Sequence, residues 1–231
     1  MDKEISKKDV EQKEQTELKI KPSESMDQNK ASAIFSKIKA KFDIKIEVEV
    51  RPLTDSEKKV LQEKLGWSED KINSKCTIDK NETIHYKTDR CDLEGSNSEN
   101  DIEYVRKTIY YNDVKIEGVF PAFESKFDMQ LNPEDYQKSN TKQFSEANKA
   151  LKTEIENNPE LEKQFTKEQL EDIKNGDTPR GYTWHHNEEP GKMQLVKTSD
   201  HDRTIGGAAH TGGNSIWGNE SISKNKEGVS F

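Results

Sequence analysis

Strict alternation opens the ordered part of this chain. Ile44, Ile46, Val48 and Val50 are interleaved with Lys45, Glu47 and Glu49. This period of two marks a half-buried strand. Just before it, Ile34 and Ile38 stand four apart, as on one helix face. Thr54 with Glu57 forms a capping box that predicts a helix to about Leu65, stopped by Gly66. Cys76–Ile78 and Thr83–Tyr86 flank a polar turn and predict a hairpin. Residues 88–101 are polar and predict a loop. Tyr104–Tyr111 and Val114–Val119, joined by Asn112-Asp113, predict a second hairpin. Pro121 to Leu131 reads as an irregular aromatic segment, with Phe120, Phe123 and Phe127 anchoring it in a core. Helical spacing follows over Ser145–Ile155. Asn158 with Pro159 starts another helix, and Thr166 with Gln169 caps a third that ends at Gly176. The pattern predicts an α+β fold. The expected division is a charged linker at 1–31, a small α+β region at 32–100, the main α+β domain at 101–220, and a flexible tail at 221–231.

Composition sharpens this plan. Only 29% of the 231 residues are hydrophobic, while 35% are charged, so part of the chain is not expected to pack. The first 30 residues hold seven Lys and eight Asp or Glu, which reads as a disordered or loosely helical tract. The formal charge of −8 is the wrong sign for coating nucleic acid electrostatically. A nucleic-acid ligand would need a local basic patch or a metal ion. Cys76 and Cys91 are the only cysteines and imply no disulfide framework. No run approaches the ~20 apolar residues of a membrane span, and the N-terminus lacks the apolar stretch of a signal peptide. The chain reads as soluble, with export by another route.

The chemistry concentrates near the C-terminus. His185, His186, His201 and His210 are four of the five histidines and fall within 26 positions. Imidazole both ligates metals and moves protons near neutral pH. Tyr182–His186 predicts a strand and Lys192–Val196 its partner, joined by the turn Asn187-Glu188-Glu189-Pro190-Gly191. Thr198 or Ser199 then caps a short helix carrying His201. Consecutive strand residues point to opposite faces, so one of the two adjacent histidines can face a metal while the other faces a substrate. A phosphodiester hydrolase needs this separation of ion and general base. Nine steps along an unbroken helix would set His201 and His210 on opposite faces. Gly206-Gly207 is therefore expected to break the helix and fold the chain back.

The run Trp184-His185-His186, the strand Gly191-x-Met193-Gln194-Leu195-Val196, His201, and His210-Thr211-Gly212-Gly213 followed by Trp217-Gly218 closely resemble the WHH nucleases. These belong to the HNH/endonuclease VII (ββα-metal) superfamily and occur at the C-terminus of bacterial polymorphic toxins. The resemblance covers roughly 101–218. It implies that His185 is a metal ligand, that His186 is the general base, and that His201 and His210 are further ligands. It also implies cleavage of DNA, a cognate immunity protein, a secretion-system or carrier-toxin component, and delivery into the cytoplasm of a target cell. Two departures stand out. Gln194 occupies the region where such nucleases carry a structural Asn, so Gln194 must fix the loop. Eight residues separate His201 from His210, an apparent insertion; if the chain does not fold back there, His210 is not a ligand and the site has lost activity or uses Asp200 or Asp202.

The remaining residues take simpler readings. Trp184 and Trp217 read as core, His85 as structural, and Glu188 and Glu189 as exposed turn residues. Arg203 and Lys197 are the candidates for phosphate contact. From Asp177 onward there are six Lys or Arg and seven Asp or Glu, so the segment is no basic clamp. The expected cofactor is a divalent cation. Imidazole suits Zn2+, Ni2+ and other transition ions while Mg2+ favours oxygen, yet cellular availability favours Mg2+; Zn2+, Ni2+ and Mn2+ are the other candidates. The alternatives are an RNase using the same site, and a non-catalytic metal-stabilised interaction module.

Overall fold

A computed structural model describes residues 48–208 and 212–218, which belong to one unit. The expected linker at 1–31, the helix face at Ile34 and Ile38, most of the strand from Ile44, His210 and the tail at 221–231 lie outside the described residues.

The described residues form an α+β fold with two sheets. The first sheet begins with β1 (Val50–Arg51), the described remainder of the alternating strand, in which Val50 is 43% exposed. Helix α1 (Asp55–Leu65) follows with both hydrogen bonds of the Thr54/Glu57 capping box, and Gly66 closes it at φ +69°. Only a residue without Cβ adopts that conformation cheaply. Helix α2 (Glu69–Lys75) leads into β2 (Cys76–Asp79) and β3 (Ile84–Tyr86). Then come β4 (Tyr104–Tyr111) and β5 (Val114–Pro121). Their turn residues Asn112 and Asp113 both have positive φ, the geometry that matches the twist of a two-residue hairpin. The strand order is β1-β2-β3-β5-β4, with β3 and β5 parallel and the other pairs antiparallel. Strands from both sides of residue 100, where the sequence suggested a division, therefore share one sheet.

The second sheet has the order β6-β8-β7 and is antiparallel throughout. It comprises β6 (Phe127–Gln130), β7 (Tyr182–His186) and β8 (Lys192–Lys197). Between β6 and β7 run α3 (Asn140–Asn157), α4 (Pro159–Glu162) and α5 (Lys167–Asn175). After β8 come the single-turn helices α6 (Thr198–His201) and α7 (Asn214–Trp217). Strand β6 corrects the reading of 121–131 as wholly irregular. Helix α3 starts earlier than its apolar spacing suggested, because Ser139 caps it by accepting from Lys142 N–H.

One apolar core runs through both sheets. It joins Leu61, Ile72, Ile84 and Ile116 to Leu151, Trp184, Leu195 and Trp217. A smaller cluster of Ile102, Tyr104, Val119 and Ala208, with Phe123 packed against it, lies beside β5. His85 on β3 sits between two carboxylates, with Nε2 3.2 Å from Asp79 and Nδ1 3.3 Å from Glu117. Burial alone would raise the Asp79 carboxyl, but the Thr83 and Asn81 amides and His85 hold it at about 2. No described helix is long and apolar enough to cross a membrane.

Candidate functional site

The β7–β8 ladder places the histidine pair. Trp184 pairs with Leu195, His185 with Gln194 and His186 with Met193. Directly opposed residues share a face and neighbours alternate, so His185 and His186 diverge.

On the His185 face lies His201, delivered by α6. The two ring centroids are 5.4 Å apart and nearly edge-on. Phe123, just beyond β5, contacts both, lying edge-on to His185 at 4.8 Å and stacked on His201 at 5.5 Å. Gln194 lies on this face and is buried. Its Oε1 accepts from Asn187 Nδ2 at 2.8 Å, and its Nε2 donates to Asp128 at 3.3 Å. Asn187 Oδ1 in turn accepts from Glu189 N–H at 2.9 Å. The turn after the histidines is therefore held by side chains from β6 and β8.

His186 points the other way, into the body of the domain. Its Nε2 lies 2.7 Å from Gln143 Oε1 on α3. The Phe144 and Trp217 rings flank it at 5.3 and 5.6 Å. Burial, with a smaller contribution from His201, pushes the His186 imidazole down to about 4, so it is neutral at physiological pH. Its folded value lies below the unfolded value of about 6.5. The associated stability is therefore complete above pH ~6.5 and is lost as pH falls toward 4. In chelator, the stability difference between pH 7 and pH 4 is expected to be about 3 kcal/mol larger for wild type than for His186→Ala, by urea unfolding. Equal differences would contradict it.

The segment after β8 differs from its expected form. Neither Thr198 nor Ser199 caps α6. Thr198 is its first residue, and Lys197 precedes it with no side-chain cap. The helix ends at Asp202, ahead of the glycines, and Asp202 caps a 3-10 turn over Arg203–Ile205. The chain folds back there. Gly206 takes φ +91°, Gly207 N–H donates to Asp202 O, and Ala208 N–H donates to Asp200 O. Asn100 secures this hairpin-like segment by donating to the Ser199 and Ile205 carbonyls. Asp200 and Asp202 have local partners, Ser199 Oγ and Thr204 respectively.

The segment from Gly212 is clamped to the end of β7. Gly213 N–H donates to His186 O at 2.8 Å, and Trp217 Nε1 donates to Asn187 O at 2.9 Å. Trp67, Lys71 and Gln137 donate to the carbonyls of Ile216, Ser215 and Trp217. Trp184 and Trp217 are buried, and Trp184 Nε1 donates to Asn148. Glu188 is not the exposed turn residue expected. It is 3% exposed and paired with Lys107 on β4. Glu189 is exposed, as are Arg203 and Lys197.

Two imidazoles on one ion, with metal–nitrogen bonds of ~2.1 Å, have ring centres roughly 5–6 Å apart. The His185–His201 pair fits that spacing. Among the described residues, which exclude His210, no three His, Cys, Asp or Glu side chains form a group able to hold a metal ion. Phe123, Gln143 and Asn187 are the neighbours that sequence reasoning missed as parts of this site. Only Asn187 carried a local signal, its place directly after the histidine pair.

Residues 112–212 match the family model for the DNase/tRNase domain of colicin-like bacteriocin. This match supports a nuclease toxin domain, and so a nucleic-acid hydrolase, over that stretch. No curated protein and no solved structure matches the chain.

Proposed function

We propose that the region around residues 112–212 is a divalent-cation-dependent endonuclease of the WHH/HNH type, with DNA as its substrate. The observation that carries the reading is the divergence at the end of β7. His185 faces His201 across 5.4 Å, while neutral His186 faces the opposite side of the strand. This separates an ion-holding side from a proton-accepting side.

In this reading His185 and His201 hold the cation, and His210, outside the described residues, completes the ligand set. When bound, the cation supplies stabilisation of negative charge at the scissile phosphate. His186 removes a proton from the attacking water. Burial keeps this imidazole in its base form at neutral pH and weakens its pull on the proton. Gln194 and Trp184 hold the strand and turn that present the pair. Arg203 and Lys197, both exposed, contact phosphates on either side of the cut. Histidine ligands suit Zn2+ and Ni2+, whereas Mn2+ and Mg2+ prefer oxygen ligands and Mg2+ is the abundant cellular candidate. The chain acts as a delivered bacterial toxin held in check by an immunity protein until it reaches the cytoplasm of a target cell.

RNA is the second reading, because the matched family description names tRNase beside DNase. The test incubates the full chain with supercoiled plasmid and with tRNA, in each of Mg2+, Mn2+, Ni2+ and Zn2+, with and without chelator. Nicking of plasmid with at least one cation, abolished by chelator, is expected. Cleavage of tRNA alone moves the substrate to RNA. Cleavage that survives chelation removes the cation from the reading, and a chain inert toward both substrates overturns it.

A further inference from the structure

Gln143 is fully buried, 0% exposed, in the first turn of α3. Its amide has three partners. Nε2 donates to Asp135 O and Tyr136 O, each at 2.9 Å, and Oε1 lies 2.7 Å from His186 Nε2. The two backbone carbonyls fix the sense of the amide. Turning it over would set Oε1 against two carbonyl oxygens and leave those acceptors without donors. A buried group left in that state costs about 1–3 kcal/mol. The atom facing His186 is therefore an acceptor only, and a contact of 2.7 Å requires a proton on Nε2. A neutral imidazole carries one ring proton, so the lone pair belongs to Nδ1.

The carbonyls that orient Gln143 lie in the turn over Pro133–Asp135 and the residue after it, just ahead of the Ser139 cap of α3. Met193 opposes His186 across the ladder, and the Phe144 and Trp217 rings flank it. Gln143 is thus tied to rigid backbone on one side and to the imidazole on the other.

We infer that Gln143 is a positioning residue that fixes His186 as the Nε2–H tautomer, so that Nδ1 is the atom that accepts the proton of the attacking water. The inference rests on the proposed role of His186 as general base. Gln143 acts through that ring and makes no contact with substrate.

The test has two arms on the full chain. In the first, metal-free protein with nitrogen-15-labelled histidine is examined by NMR at neutral pH, and the His186 signals are identified by their absence from His186→Ala. A protonated Nε2 with an unprotonated Nδ1 is expected; the reverse tautomer, or a mixture of the two, overturns the inference. In the second, Gln143→Met keeps length and bulk while removing all three hydrogen bonds. Its kcat for plasmid nicking is expected to fall about 10- to 100-fold with KM little changed. A folded Gln143→Met with wild-type kcat overturns the inference, whereas an active His186→Ala overturns the reading beneath it. If Gln143→Met fails to fold, the wild-type spectrum alone decides.

Discussion

His186→Ala is expected to give a folded chain whose plasmid nicking is about 10²- to 10⁴-fold slower than wild type, the range a positioned general base contributes. The ring is buried against Gln143, Phe144 and Trp217, so its removal also leaves a void and leaves Gln143 Oε1 without its donor. That structural cost has to be separated from the chemical one. His186→Gln keeps a polar side chain in the same space and is expected to be more stable than His186→Ala but equally inactive. Circular dichroism and urea unfolding of both variants, beside their nicking rates in the preferred cation, make the separation. Near-normal cleavage by either variant, folded, would remove His186 from the mechanism. A loss of activity that tracked stability across the pair would make His186 a core residue instead.

The contrast with His185 sharpens this result. His185 lies on the opposite face with His201 and Phe123, and its proposed work is holding an ion. Adding excess cation should therefore partly restore His185→Ala and should do nothing for His186→Ala. The alternation of a single strand is what sets the two rings on opposite faces, and it follows directly from the adjacency of the residues in the chain.

How much of this was legible depended on how local each cause is. The boxes at Thr54/Glu57 and Thr166/Gln169, closed by Gly66 and Gly176, were read correctly. Each lies within one or two helical turns of its own partners. The hairpin at Asn112-Asp113 was legible for the same reason, since the two residues that adopt positive φ are themselves the signal. Strand β6 was not. Phe127-Asp128-Met129-Gln130 is short, and its partner β8 lies more than 60 residues downstream. The start of α3 was missed because Ser139 is followed by Lys142, with no Glu or Gln to complete a box. In the site, the opposed directions of His185 and His186 follow from local geometry. The burial of Glu188 does not, because Lys107 stands 81 residues away, and neither does Gln143, which is 43 residues from His186. Sequence spacing names candidate chemical groups more readily than the distant residues packed against them.

Gly213→Ala is expected to destabilise the protein by about 4 kcal/mol or more, which is exceptional for a single methyl group. Backbone conformation is not the reason, because Gly213 has φ −64° and ψ −26°, open to any residue. The reason is space. A Cβ there would overlap the Asn187 carbonyl oxygen and stand 2.5 Å from its carbon and 2.7 Å from Trp217 Nε1. Both neighbours are fixed, since Trp217 Nε1 donates to that same carbonyl and Gly213 N–H donates to His186 O. The methyl group must therefore open the clamp, and the end of β7 moves with it. Gly66→Ala is the informative control. Gly66 has φ +69° with nothing within 4 Å of an added Cβ, so its penalty is conformational and about 1–2 kcal/mol. Urea midpoints of the two variants should differ widely, and nicking should fall with Gly213→Ala but not with Gly66→Ala. Equal midpoints would mean that the segment from Gly212 onward yields easily, and that the clamp on His186 and Asn187 does not hold the site in place.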